Sequence, residues 1–263
     1  MTSLYEHKSR FLLFKEKLKA AFIADSLKKL SRRNALNDYA QMLDRDDDRL
    51  WKLHRDLEAI REDGTKNYAH YDYGSGYYYQ SMKQIGVSGY RNTEERIEQL
   101  HLHDLLKDRT VLDIGSNTGF LLLYLSKDIT RGVGIEFNPY LVRTADAVKE
   151  FLGAGNIEFL ATSFEDYEKP DGSFDAVLSL ANHSTYDGNT RQNVEEYFDR
   201  CSRLLSSGGL LVFESHPPKI EPADKLNETI RIISERFTIV DRPAVRMGGF
   251  LDKDRTYVVA QKA

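Results

Sequence analysis

The 263-residue chain is 41% hydrophobic with a net charge of −4 and a sequence pI near 6.0. That is apolar material enough for one sizeable α/β domain with an appendage, and it provides no global basic field for nucleic acid. A single cysteine, Cys201, excludes an internal disulfide, and no apolar run approaches the ~20 residues of a membrane-spanning helix.

Charge falls within the first ten residues and no signal-peptide cleavage pattern follows, so a cytoplasmic location is expected. Residues 1–62 contain neither Gly nor Pro and read as helical, a helical extension over 1–63. Phe11, Phe14, Leu18 and Phe22 share one helical face, and Leu50, Leu53, Leu57 and Ile60 form a second stripe. Residues 1–34 hold nine basic residues against three acidic ones. One reading is a surface for an anionic partner, either nucleic acid, such as tRNA, or an acidic membrane face. The other, which we prefer at this level, is a solvated face over a packing stripe or a homodimer contact. Asp46-Asp47-Asp48 marks a break between helices or the first turn of the next.

Gly64 is expected to end the helical region. Residues 64–92 then mix tyrosines with glycines, a composition suited either to a lid or to an irregular segment packed over the core edge. Tyrosine offers large contact area with few rotors and a polar tip. On the lid reading Tyr77, Tyr78 and Tyr79 contact the acceptor, together with Arg91. Thr93 is the expected N-cap of a helix over 93–106 that opens the main domain, 93–263. His101 and His103 lie on different faces of it, and the chain has no CxxC or HExxH, so no metal site is expected.

The stretch Thr110–Phe120, TVLDIGSNTGF, passes from a β-branched strand through a glycine turn into an apolar helical run. Gly115 permits backbone angles that a Cβ forbids, and Gly119 is expected to let the loop lie close to a ligand. The helix start, with small residues and free N–H groups, suits polar ligand groups. The spacing Gly115-x-x-x-Gly119 is not a dinucleotide fingerprint, and Phe120 stands where a P-loop needs lysine. Asp-x-Gly-x-x-x-Gly resembles the first motif of class I S-adenosylmethionine (SAM)-dependent methyltransferases. The resemblance implies SAM as cofactor, with Asp113 steering its amino-acid end and Gly115, Ser116, Asn117 and Gly119 packed beside it.

About 20 residues beyond the turn, Glu136 ends a second buried strand, where a carboxylate binds ribose hydroxyls, and Phe137 is placed to cover the adenine. Ser163 and Phe164, after a third strand, are assigned to the adenine amino group and ring. Leu180 ends the fourth strand on the cofactor wall, followed by Asn182, His183 and Tyr186. A helix over 189–205, a strand over 210–215 and a terminal antiparallel hairpin complete a seven-stranded Rossmann-like α/β sheet. This order, over about residues 90–263, resembles class I methyltransferases throughout. More narrowly, Tyr90-Arg91-Asn92-Thr93-Glu94-Glu95-Arg96 before the glycine turn resembles the group around tRNA wobble-uridine (carboxy)methyltransferases and related polysaccharide-associated methyltransferases. Ser116 replaces a Cys frequent in that group.

Methyl transfer to a hydroxyl needs a base that titrates near neutrality. His183 is the candidate and His216, in Glu214-Ser215-His216-Pro217-Pro218, the second; Asn182 and Tyr186 are assigned to the acceptor. Three functions compete: O-methylation of a small molecule or saccharide, tRNA modification, and a SAM-binding module without catalysis. The first is preferred.

Overall fold

The computed structural model describes residues 4–68, 77–184, 191–245 and 254–263. Three helices come first: α1 (Arg10–Ala21), α2 (Ser26–Arg45) and α3 (Asp48–Asn67). The triple aspartate is their joint. Asp46 closes α2 in the left-handed region at φ 48°, and the Asp47 side chain accepts the N–H groups of Arg49 and Leu50 as the N-cap of α3. Leu50, Leu53 and Leu57 are buried, as the stripe predicts. Gly64 does not end α3; it is buried inside the helix, and its carbonyl accepts the N–H of Tyr68 beyond the last turn.

α3 packs across α7 (Pro139–Leu152), so Leu36, Tyr39, Leu50 and Leu57 share one continuous core with Leu121 and Val142 of the main domain. The expected helix over 93–106 breaks at His101, which takes φ 51°, into α4 (Thr93–Gln99) and α5 (Leu102–Leu105). Its N-cap is Asn92, whose side chain accepts Glu95 N–H, one residue before Thr93.

The sheet contains β1 (Thr110–Ile114), β2 (Arg131–Glu136), β3 (Ile157–Ala161), β4 (Phe174–Leu180), β5 (Leu205–Glu214), β6 (Thr238–Asp241) and β7 (Tyr257–Gln261). Their order is β3-β2-β1-β4-β5-β7-β6, and β7 alone runs against the rest. β5 begins five residues before the expected start, passing through Gly208-Gly209 with a shift of register against β4. α6 (Phe120–Tyr124) follows β1. On the opposite face lie α8 (Val194–Leu204), which starts with an Asn193/Glu196 capping box, and α9 (Ala223–Arg236). The chain winds outward from β1 in one direction and from β4 in the other. The crevice beyond their carboxyl ends is where such sheets bind ligands. Among the described residues, no helix is long and apolar enough to cross a membrane.

Candidate active site

The turn after β1 is held by backbone. Ser116 N–H donates to the Ile135 carbonyl at 3.0 Å. Asn117, at φ 54°, donates its N–H to Glu136 Oε2 at 3.0 Å, and Asn138 donates its own to Oε1 at 2.9 Å. One carboxylate thereby staples the loop after β1 to the loop after β2. A carboxylate is an acceptor-only group with about four lone-pair sites, the kind of partner that ribose hydroxyls need. Three buried polar atoms at this turn have no protein partner among the described residues: Ser116 Oγ, Asn117 Oδ1 and Asn138 Nδ2. Leaving such groups unanswered costs about 1–3 kcal/mol each, so their clustering beside Glu136 fits the polar groups of a nucleoside such as that of SAM.

The two glycines serve different ends. A Cβ on Gly115 (φ 65°) would lie 3.1 Å from Asn182 Nδ2, while one on Gly119 (φ 69°) would lie 2.4 Å from the Phe159 ring and 2.9 Å from Ala145 Cβ. Gly119 therefore brings the loop close to β3 and α7 side chains. Asp113 is buried, and burial pushes its carboxyl up to about 7; the Arg96 guanidinium pulls it down and Glu136 raises it.

Beyond β4 the chain turns at Ala181, a non-glycine residue at φ 61°, whose N–H donates to the Glu214 carbonyl. Asn182 is then consumed structurally. Its Nδ2 donates to the Ile114 carbonyl, and its Oδ1 accepts from Ser179 Oγ and from the Tyr197 hydroxyl. It ties β4 to β1 and is not presented to an acceptor as expected. His183 is 1% exposed and packs between Phe198 of α8 and Phe213 of β5. Glu221 Oε1 lies 3.0 Å from its Nε2 and also accepts from Thr229 Oγ1, while Oε2 accepts His216 N–H.

The His216 ring stands 5.1 Å from that of His183. Burial, with His183 and Arg255 adding, pushes its pKa down to about 4 against the opposing pull of Glu221. His183 Nδ1 and His216 Nε2 are buried with no protein partner among the described residues.

Sequence reasoning missed Glu214. Its fully buried carboxylate receives Arg91 Nη2 at 2.7 Å and Arg96 Nη2, and Arg255 Nη1 lies 3.0 Å away. Arg91, expected to meet an acceptor, is thus tied to the end of β5. Glu221 was missed likewise, 38 residues from His183. Gln80 was a third omission: its Oε1 accepts from Thr118 Oγ1 and seats the tyrosine segment on the glycine turn.

Several assignments need correction. Tyr78 is buried in the main core against Phe120, and the Tyr77 hydroxyl donates to Asp38 of α2, so these two rings anchor the segment inward. Tyr79 lies beneath the Arg91 guanidinium. Phe164 points into the core against Tyr197, with centroids 5.0 Å apart, and Ser163 Oγ is engaged with Asp166 at both its donor and acceptor capacity. Neither is presented to an adenine. Phe137, by contrast, is 47% exposed directly after Glu136, and Leu180 is half-buried at the end of β4. Tyr186 lies outside the described residues.

Residues 112–213 match the family described as a methyltransferase domain. The chain is similar to EEF1A lysine methyltransferase 2 of Mus musculus, 25% identical over 182 residues, which cover 66% of this chain and 72% of that protein. The Homo sapiens protein of the same name is 23% identical over 199 residues, covering 70% and 80%. Among solved structures, the N-methyltransferase NodS from Bradyrhizobium japonicum, in complex with S-adenosyl-L-homocysteine, has the same fold. Its TM-score is 0.52 at 19% identity, covering 64% of this chain and 86% of that one. A SAM-dependent methyltransferase from Aquifex aeolicus gives 0.51 at 20% identity, covering 65% and 90%.

Sheet order, glycine turn and matched domain together define a class I methyltransferase fold. The protein is a SAM-dependent methyltransferase, and SAM is its cofactor.

Proposed function

We propose that the protein O-methylates a hydroxyl of a small molecule or saccharide, with the His183–Glu221 pair taking the hydroxyl proton. The observation that carries this reading is the pair of buried imidazole nitrogens beyond β4 and β5 that have no protein partner among the described residues. Bound SAM supplies a methyl group activated on a sulfonium, transferred in line with release of a neutral thioether. Glu221 accepts from His183 Nε2, which leaves Nδ1 as the nitrogen able to receive a proton, and its carboxylate stabilises the imidazolium that forms. His216, held neutral near pH 7 by burial, serves as an acceptor of hydrogen bonds. Glu221 is a positioning residue.

A lysine amine of a protein is the second reading, favoured by the mouse and human relatives, which are named as lysine methyltransferases. A cell extract incubated with the enzyme and methyl-labelled SAM separates the two. Label in the small-molecule or saccharide fraction supports the first, and label on protein lysine the second. Label in tRNA would instead support the narrower resemblance of residues 90–96. With the acceptor in hand, His183→Ala should slow transfer by about 10²–10⁴-fold. SAM affinity should hold, and the rising limb of the pH–rate profile should be lost. Turnover within a few-fold of wild type would make His183 purely structural.

A further inference from the structure

α1 is apolar on two sides, and only one of them is covered. Its Leu13 and Ala20 pack toward the core, and Glu16 pairs with Arg32 of α2 at 2.6 Å, which fixes the inward face. No residue of α1 is buried. Phe11, Phe14, Leu18 and the capping Phe22 are 77%, 61%, 52% and 87% exposed. With about 100° between successive residues, these four fall within an arc of about 80° on the side away from α2. Leu27, at the start of α2, is also exposed. A water-facing helix surface is normally polar, and three phenylalanines in a row mark a contact surface.

The cations beside the stripe say what kind of contact. On the same helical projection Lys15 and Lys19 border the apolar arc on one side, and Lys17 and Arg10 on the other. Residues 1–34 carry nine basic and three acidic residues, a net +6 in a chain of net −4. Lys19 and Arg10 have acidic partners within the chain, Glu16 and Asp44. Lys15, Lys17, Lys28, Lys29 and Arg33 are exposed, with no acidic partner among the described residues. A second copy fits poorly: a two-fold contact through this stripe would set the flanking lysines of one copy against those of the other. A convex row of unlinked apolar side chains likewise offers no groove for a nucleic-acid strand.

We infer that α1 is an in-plane membrane contact: Phe11, Phe14, Leu18 and Phe22 insert at the headgroup boundary of an anionic bilayer while Lys15, Lys17, Lys28, Lys29 and Arg33 meet its phosphates. This is the geometry of an interfacial helix, with aromatic and aliphatic side chains below and snorkelling lysines beside them. It places the enzyme at a lipid surface through a helix that lies along the membrane plane.

Co-sedimentation of the full chain with phosphatidylglycerol/phosphatidylcholine vesicles tests the inference, with phosphatidylcholine vesicles as comparison. Binding to the anionic vesicles alone, weakened by salt, is expected. The double variant Phe14→Ser/Phe22→Ser should lose it. Lys15→Gln/Lys17→Gln should weaken it by about five-fold per lysine. Both variants should retain SAM binding by calorimetry, and should the serine variant not fold, the glutamine variant decides. Protein left in the supernatant, equal binding to both vesicle types, or a glutamine variant that binds like wild type overturns the inference. So does retention by tRNA without vesicle binding, or a wild-type dimer that Phe14→Ser/Phe22→Ser converts to monomer.

Discussion

The carboxyl ends of β1 and β2 and those of β4 and β5 face the same crevice but are made of different materials. Around β1 and β2 the shape comes from main chain: two positive-φ glycines, Asn117 in the left-handed region, and N–H groups of Asn117 and Asn138 aimed at one carboxylate. Around β4 and β5 it comes from side chains that reach across the sequence, with Asn182 on Ile114, Glu221 on His183, and three arginines on Glu214. A backbone-built half presents the same donors whatever surrounds it, which suits an invariant cofactor. The half built from side chains can be altered one residue at a time, which suits an acceptor that differs from enzyme to enzyme.

The largest expected effect tests the side-chain half. Glu214→Ala leaves buried guanidiniums without their carboxylate and should cost about 3–5 kcal/mol, the range for breaking a buried ion pair, read from urea denaturation. A loss below about 1 kcal/mol would mean that the cluster is peripheral to the fold. Next comes the main-chain half. Gly119→Ala drives a Cβ into Phe159 and Ala145 at positive φ and should cost about 2–4 kcal/mol from crowding and left-handed strain. Gly155→Ala, with nothing within 4 Å of its added Cβ, should stay within about 0.5 kcal/mol. Equal costs at the two positions would erase the distinction between a glycine that shapes the site and one that does not.

Glu136→Ala should weaken SAM binding by about 1.5–3 kcal/mol in calorimetry, the range for hydrogen bonds to a charged group. An unchanged affinity would place the ribose elsewhere. The smallest effect is a pH dependence. Asp113 is raised to about 7, so below that pH its carboxyl is protonated in the folded protein. If it steers the ammonium of SAM, binding requires the ionised form and must expel the proton. Affinity should then fall up to about tenfold per pH unit below 7, about 1.4 kcal/mol each. It should level off above 7, and Asp113→Asn should flatten the curve at the weaker level. Calorimetry at pH 6 in buffers of different ionisation enthalpy would register the released proton.

The same contrast decides what could be read from sequence. Strand, glycine turn and a carboxylate about 20 residues on are local signals, and they led to the seven-stranded methyltransferase sheet and to SAM as its cofactor. Distance along the chain hid the rest: Glu214 meets partners 118 and 123 positions away. Direction hid the tyrosines and Phe164. Composition shows that an aromatic ring is present, but whether Tyr77 faces a ligand or Asp38 depends on how α2 packs. Gly119 has a packing reason that its local sequence does not show, because the ring that excludes a Cβ belongs to β3.

Glu214 also bears on how the chain reaches this state. Its carboxylate has three guanidinium neighbours drawn from the segment before α4, from α4 itself and from the approach to β7, so its neutralisation waits until nearly the whole chain is in register. An intermediate with β5 buried but the N-terminal or C-terminal segment undocked would hold a charge in an apolar interior with too few partners, a costly arrangement. Partly assembled forms are thereby penalised, and the late, long-range closures that slow such topologies become the step that makes folding cooperative.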